Sequence, residues 1–252
     1  MATWSNRRKY GYLFIFVAAL VLLFGVPSFF IFYKAPTCFD GVQNGGETGI
    51  DCGGGCVKLC PADFAPPRVL WSYAVQVLPG VYNALAYVQN PNPSVQASSL
   101  PYDMRIYDDQ GLLIAERTGS AFIPAGQKFA VFEGGIDAGR RVPARTTFEF
   151  TSLPNWTPGA MSSKLHTDSV DLVQGPSPKA EVVVRNESAG SSFSNIDTFI
   201  ILYDKDDNRV SFSKTVIDSI AAGGTVIKTF TWPQAFPTNI VRTEVLFTVR
   251  GA

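Results

Sequence analysis

The chain contains a single histidine, His166, among 252 residues. General acid–base catalysis most often draws on histidine, and Ser-His-Asp triads and two-histidine metal sites depend on it, so these chemistries have little to work with. No cysteine occurs after Cys60, so the long C-terminal part of the chain has no thiol nucleophile. Neither sign of charge is in excess, with 21 Lys and Arg against 21 Asp and Glu. The part beyond Cys60 lacks a basic stripe, which argues against nucleic acid as a partner. G-x-S-x-G, a phosphate-binding glycine loop and H-E-x-x-H are also missing. The expectation is a protein that is not an enzyme.

A further absence is positive information: residues 11–33 carry no charge, and Arg7, Arg8 and Lys9 stand just before them. About 20 apolar residues suffice to cross a bilayer as a helix, which pairs every backbone polar group internally. Basic residues on the short side favour leaving that end in the cytoplasm. A cleaved secretory signal would be shorter and would end in small residues of the A-x-A type. Here the run ends in Phe29, Phe30, Ile31, Phe32 and Tyr33. The sequence therefore predicts a cytoplasmic tail at 1–10 and an uncleaved single-pass anchor at 11–33 in contact with the lipid bilayer. Everything from residue 38 onward lies outside the cytoplasm.

The four cysteines fall in one segment, 38–60, as Cys38-x13-Cys52-x3-Cys56-x3-Cys60. Outside the cytoplasm clustered cysteines normally form disulfides, and four of them allow three pairings. The segment has few large apolar side chains, so staples rather than a core must hold it. Asp40, Asn44, Glu47 and Asp51 alternate with glycines, which places oxygen donors on a turning backbone as calcium requires. Three readings stay open: a disulfide-knotted spacer with no ion, a calcium loop on those four residues, and a four-thiolate zinc site. The 13-residue gap after Cys38 disfavours zinc.

Beyond Pro61 the chain repeats itself with an offset of 96–97 residues. Ala84-Leu85-Ala86-Tyr87-Val88-Gln89-Asn90 aligns with Ala180-Glu181-Val182-Val183-Val184-Arg185-Asn186. Tyr102-Asp103-Met104-Arg105-Ile106-Tyr107-Asp108 aligns with Thr198-Phe199-Ile200-Ile201-Leu202-Tyr203-Asp204. Ile123-Pro124-Ala125-Gly126 aligns with Ile220-Ala221-Ala222-Gly223. Order and spacing persist through each copy, the mark of a duplication. β-branched runs separated by Asp, Asn and Gly turns predict antiparallel sandwiches and very little helix. The predicted fold is all-β: two tandem β-sandwiches at 62–153 and 160–252, joined by a short linker through Pro154 and Pro158. Inward-facing positions are predicted at Ala84, Ala86, Ile106, Phe148 and Phe150, and at Ala180, Val182, Leu202, Val245 and Phe247. Trp71 and Trp156 read as packing residues, and the Asp204-Asp206-Asp207 cluster as a solvated hairpin turn. A short linker interface should transmit little from one copy to the other.

Two resemblances accompany these readings. Cys38-Phe39-Asp40-Gly41, Asn44-Gly45, Glu47-Thr48 and Asp51-Cys52-Gly53-Gly54 resemble a cysteine motif of bacterial secreted and surface proteins, with one extra residue in the last gap. That resemblance implies a prokaryotic extracytoplasmic setting. Phe199-Ile200-Ile201-Leu202-Tyr203-Asp204 resembles the signature of the FxLYD immunoglobulin-like domains, with one residue inserted. Relatives of that group include late-embryogenesis-abundant type 2 domains and bacterial cell-adhesion-related domains. The resemblance implies immunoglobulin-like sandwiches and no particular activity. The expected function is a membrane-anchored surface protein that presents its sandwiches to a protein partner in the envelope or on another cell. An accessory subunit of a secretion or pilus-type machine, and a solute-binding or enzymatic ectodomain, are the alternatives.

Overall fold

A computed structural model of the chain describes residues 4–160 and 164–249. The chain divides into two compact units, residues 1–57 and 58–252.

In the first unit, α1 (Trp4–Leu20) and α2 (Val26–Phe32) are joined by a widened helical turn, Val21–Gly25. Pro27 lacks an N–H, and its ring would press on the carbonyl four residues back. The widening meets that demand, since the Val26 N–H reaches back five residues to the Val21 carbonyl. The apolar span is Arg7–Phe32, 26 residues. This is about 39 Å of helix, enough to cross the hydrocarbon core with some tilt. It begins earlier than residue 11 because the basic cluster is itself helical. The segment that follows is built of turns, with one small bridge between Gly49 and Cys52.

The second unit opens with one 3₁₀ turn (Pro61–Asp63), followed, among the described residues, by thirteen strands. In the first repeat, β1 (Arg68–Leu78), β2 (Val81–Gln89) and β5 (Lys128–Asp137) form one antiparallel sheet in the order β1-β2-β5. A second sheet, β4-β3-β6, contains β3 (Val95–Tyr107), β4 (Leu113–Ile123) and β6 (Arg145–Phe150), and β7 (Thr157–Pro158) pairs with the start of β3. The second repeat follows the same plan. β8 (Leu165–Val173), β9 (Lys179–Asn186) and β12 (Thr225–Thr231) form β12-β9-β8. β10 (Phe193–Tyr203), β11 (Arg209–Ile220) and β13 (Arg242–Val249) form β11-β10-β13. Among the described residues no sheet is shared between the repeats.

The four sheets enclose three apolar layers. The first lies within repeat one and contains Ala84, Ala86, Met104, Ile106, Phe129 and Phe148. A second lies within repeat two and contains Ala180, Val182, Ile200, Leu202, Phe230 and Phe247. The predicted inward positions all belong to these two layers, with Phe150 and Val245 partly buried at their edges. The third layer is the one that sequence reasoning missed. Val75, Leu85, Tyr87 and Ala130 of repeat one pack against Phe199, Ile201, Tyr203 and Phe212 of repeat two. The central strands of the two inner sheets, β2 and β10, are therefore buried on both faces.

This layer corrects the expectation of weakly coupled repeats. It also corrects the linker. Trp156 is 3% exposed and belongs to the first apolar layer, edge-on to Phe64 at 6.2 Å between ring centres. Gly159 N–H bonds the Ser94 carbonyl beside β7. The first sandwich thus extends to about residue 159, not 153, and its two prolines flank an anchoring tryptophan.

The repeats use different faces to meet. Repeat one buries the outer face of β1-β2-β5, and repeat two buries that of β11-β10-β13, which corresponds to β4-β3-β6. The unused faces carry charge. On β4-β3-β6, Arg105 binds Asp103, Glu116 and Glu149 at 2.6, 2.6 and 2.5 Å. On the far sheet, Arg185 binds Asp168 at 2.6 Å. Such faces do not invite a further sheet, so the stack ends at four.

Candidate functional site

The cysteine segment folds on its own hydrogen bonds. Cys38 is disulfide-bonded to Cys56 with an S–S length of 2.02 Å. Cys52 and Cys60 are disulfide-bonded as well, and no cysteine is free. The sulfurs are therefore not metal ligands, although those of Cys38 and Cys56 lie within 4.8 Å of a Glu47 oxygen. The 3.2 Å approach of Glu47 Oε1 to Cys56 Sγ is a contact, because a disulfide sulfur has no proton to donate.

The four oxygen-bearing residues serve the turns. Asp40 accepts from Thr37 N, Val42 N and Asn44 Nδ2. The Asn44 amide, followed by the two backbone N–H groups, holds the Asp40 carboxyl below the usual carboxylate range. Asp51 accepts from Gly41 N, and Glu47 Oε2 accepts from Asn44 N and Asp51 N. Asn44 Oδ1 is buried without a partner among the described residues. Calcium needs six to eight convergent oxygens. Three of the four side chains already accept from backbone N–H groups and so cap the turns of the segment.

The Asp204 cluster is a hairpin turn. Asp204 accepts from Asp206 N and Asn208 N, and Asp207 has φ 58° where repeat one places Gly111 at φ 78°. Arg242 binds Asp207 at 2.9 Å.

The junction between the repeats is fastened by a polar cluster at the margin of the middle layer. Glu244 on β13 accepts the Tyr87 hydroxyl at 2.5 Å and the Tyr203 hydroxyl at 3.0 Å. The Arg242 guanidinium lies 3.6 Å from the centre of the Tyr203 ring. Arg209 stacks over Trp71 at 4.7 Å. Burial, reinforced by Glu244, pushes the Tyr203 hydroxyl up to about 12 and raises Tyr87 as well. Unfolded tyrosines ionise near pH 10. The junction's contribution is thus complete below about pH 10 and is lost as pH rises through the folded values. A tyrosinate absorbance titration should show these groups ionising later than the exposed tyrosines. Glu244→Gln should bring Tyr203 back toward the ordinary range. Simultaneous ionisation of all nine tyrosines near pH 10 would contradict the junction.

Arg209 also lines an open cleft of about 530 Å³ between the repeats. Repeat one contributes Tyr73, Gln76 and Pro143; repeat two contributes Asn208, Arg209 and Phe236. Trp232 also lines it; this side chain is 5% exposed, and its indole N–H has no partner among the described residues. The cleft has the volume of a small-molecule site. It holds no histidine, no cysteine and no pair of facing carboxylates. Its chemistry is that of contact and hydrogen bonding. Sequence reasoning missed it because its walls come from both repeats.

No protein-family model matches the chain, and no curated protein matches it. Among solved structures it is similar to red sea bream transglutaminase, at 14% identity and a TM-score of 0.26, over 73% of this chain and 29% of that one. The chain therefore spans less than a third of that protein's length. At this score the likeness carries no argument about fold or activity.

Proposed function

We propose that the protein is a single-pass, membrane-anchored surface protein that presents two immunoglobulin-like sandwiches, locked into one body, to a protein partner outside the cytoplasm. The observation that carries this reading is the 26-residue apolar helix, whose large side chains are exposed along its whole length, followed at once by a fully oxidised cysteine segment. Exposed leucines and phenylalanines on every face suit lipid, and paired cysteines suit an oxidising compartment. The strand grouping β1-β2-β5 opposite β4-β3-β6 supports the immunoglobulin-like assignment.

The test is topology in intact cells. Fractionation should leave the full-length chain in the membrane. Protease added to spheroplasts should cleave exposed loops beyond residue 38, while a tag before residue 4 stays protected. Release of a shortened soluble form would reject the anchor, and a protected C-terminal part would reject the orientation.

A further inference from the structure

β6 and β13 occupy corresponding edges of their sheets, and the two edges are finished differently. In repeat one, β1 leans onto β6: the Ser72 hydroxyl bonds the Thr146 carbonyl at 2.8 Å and closes the gap. In repeat two no equivalent bond reaches β13. Among the described residues, the strand hydrogen bonds of Arg242–Val249 are made to β10 alone. An eight-residue antiparallel strand paired on one side leaves alternate N–H and C=O groups facing outward. A groove of about 460 Å³ runs along that edge. Leu165 and Val170 of β8 and Val245 and Phe247 of β13 give it apolar walls, and Lys128 of β5 and His166 of β8 also line it.

We infer that this groove takes one extended peptide segment of a partner protein, which joins β13 as an added strand and completes the second sandwich. The inference rests on the surface-presentation reading and specifies its contact. Three observations select the occupant. β13 belongs to the third of four stacked sheets, and its groove is flanked by edge strands of the sheets on either side, β5 and β8. A groove bounded on both sides by packed sheets suits one added strand. The apolar walls call for apolar side chains at alternate positions of the segment, following the period of two of a strand. The Lys128 ammonium lines the groove, 5.5 Å from the Tyr87 ring centre, and Glu244 is already engaged by two tyrosines, which favours an acidic residue in the segment. Repeat one offers an internal precedent, where the extended stretch after β6 pairs with β3 and buries Trp156.

The experiment uses the full chain in detergent micelles and a pool of nine-residue peptides. Alternate positions carry Val, Ile or Phe, and the intervening ones carry Thr or Asp. Hydrogen exchange of the amides in 242–249 is read with and without peptide. A slowing of at least about tenfold is expected there and not in β6. The same peptides with alternate backbone amides N-methylated should have no effect, because side-chain contacts alone do not make a strand. Absence of slowing at millimolar peptide, or equal slowing by the methylated pool, would overturn the inference. So would slow exchange without peptide that tracks self-association in light scattering, since that assigns the edge to a second copy. None of these outcomes depends on membrane orientation, so they fail or succeed apart from the topology test.

Discussion

Phe212→Ala is expected to destabilise both repeats at once, by about 3–5 kcal/mol. Phe212 is fully buried, belongs only to the middle apolar layer, and packs edge-on against Phe132 of repeat one at 6.2 Å. Truncation removes a ring from a close-packed layer and leaves a cavity that two stiff sheets cannot collapse to fill. The loss is a large share of the 5–15 kcal/mol that holds a typical domain. Because the ring touches neither internal core, its removal should weaken the lock while each sandwich keeps its own layer. Urea unfolding, followed by fluorescence and by exchange in β2 and β9, is the check. Loss of protection in β9 alone would show that the middle layer does not couple the repeats.

Asn186→Ala is expected to cost about 3 kcal/mol or more, and Asn90→Ala a similar amount, since each buried polar group left unpaired costs about 1–3 kcal/mol. Both asparagines are completely buried. Asn186 Nδ2 donates to the Ser191 and Ala221 carbonyls at 2.7 and 3.0 Å, and its Oδ1 accepts from Ser188 N at 2.9 Å. Asn90 repeats the pattern, with donation to the Val95 and Pro124 carbonyls and acceptance from Asn92 N. Each side chain ties the end of one strand to two neighbouring loops. Alanine would strand two carbonyls and one N–H in a dry environment. A midpoint shift in urea of less than about 1 kcal/mol equivalent would mean that water takes over those bonds.

The asparagines illustrate how far the sequence can be read. Their recurrence at a fixed offset is visible, and it marks the repeat. Their role is not visible, because the carbonyls they satisfy sit on loops 5 and 35 residues away. The inward positions were legible from alternation, and the hairpin at Asp204 from its turn residues. The middle layer also left a trace. Phe199-Ile200-Ile201-Leu202-Tyr203 is apolar without interruption, whereas the matching stretch of repeat one alternates through Asp103 and Arg105. An unbroken run marks a strand buried on both faces, and here that signal was subsumed under alternation. The residues around Trp156 were misread for a different reason. Two prolines and a glycine look like a linker; the tryptophan between them reads as a packing residue, and the fold shows that it packs in the first core. For the cysteine segment, oxygen donors among glycines suit either a cation or backbone capping, and the sequence alone does not separate the two. The cleft and the β13 groove were out of reach, because their walls combine strands far apart in sequence.

The central claim is that residues 58–252 form one body of four sheets rather than two sandwiches on a hinge. Scanning calorimetry of the full chain in micelles tests it most directly. Separate repeats would each melt as their own cooperative unit, and the calorimetric enthalpy would approach twice the van't Hoff value. Parting them would expose Phe199, Ile201 and Phe212 opposite Leu85 and Tyr87, a patch too apolar to leave in water. The account predicts a single transition with the two enthalpies equal. Two resolved transitions, or a ratio near two, would contradict it.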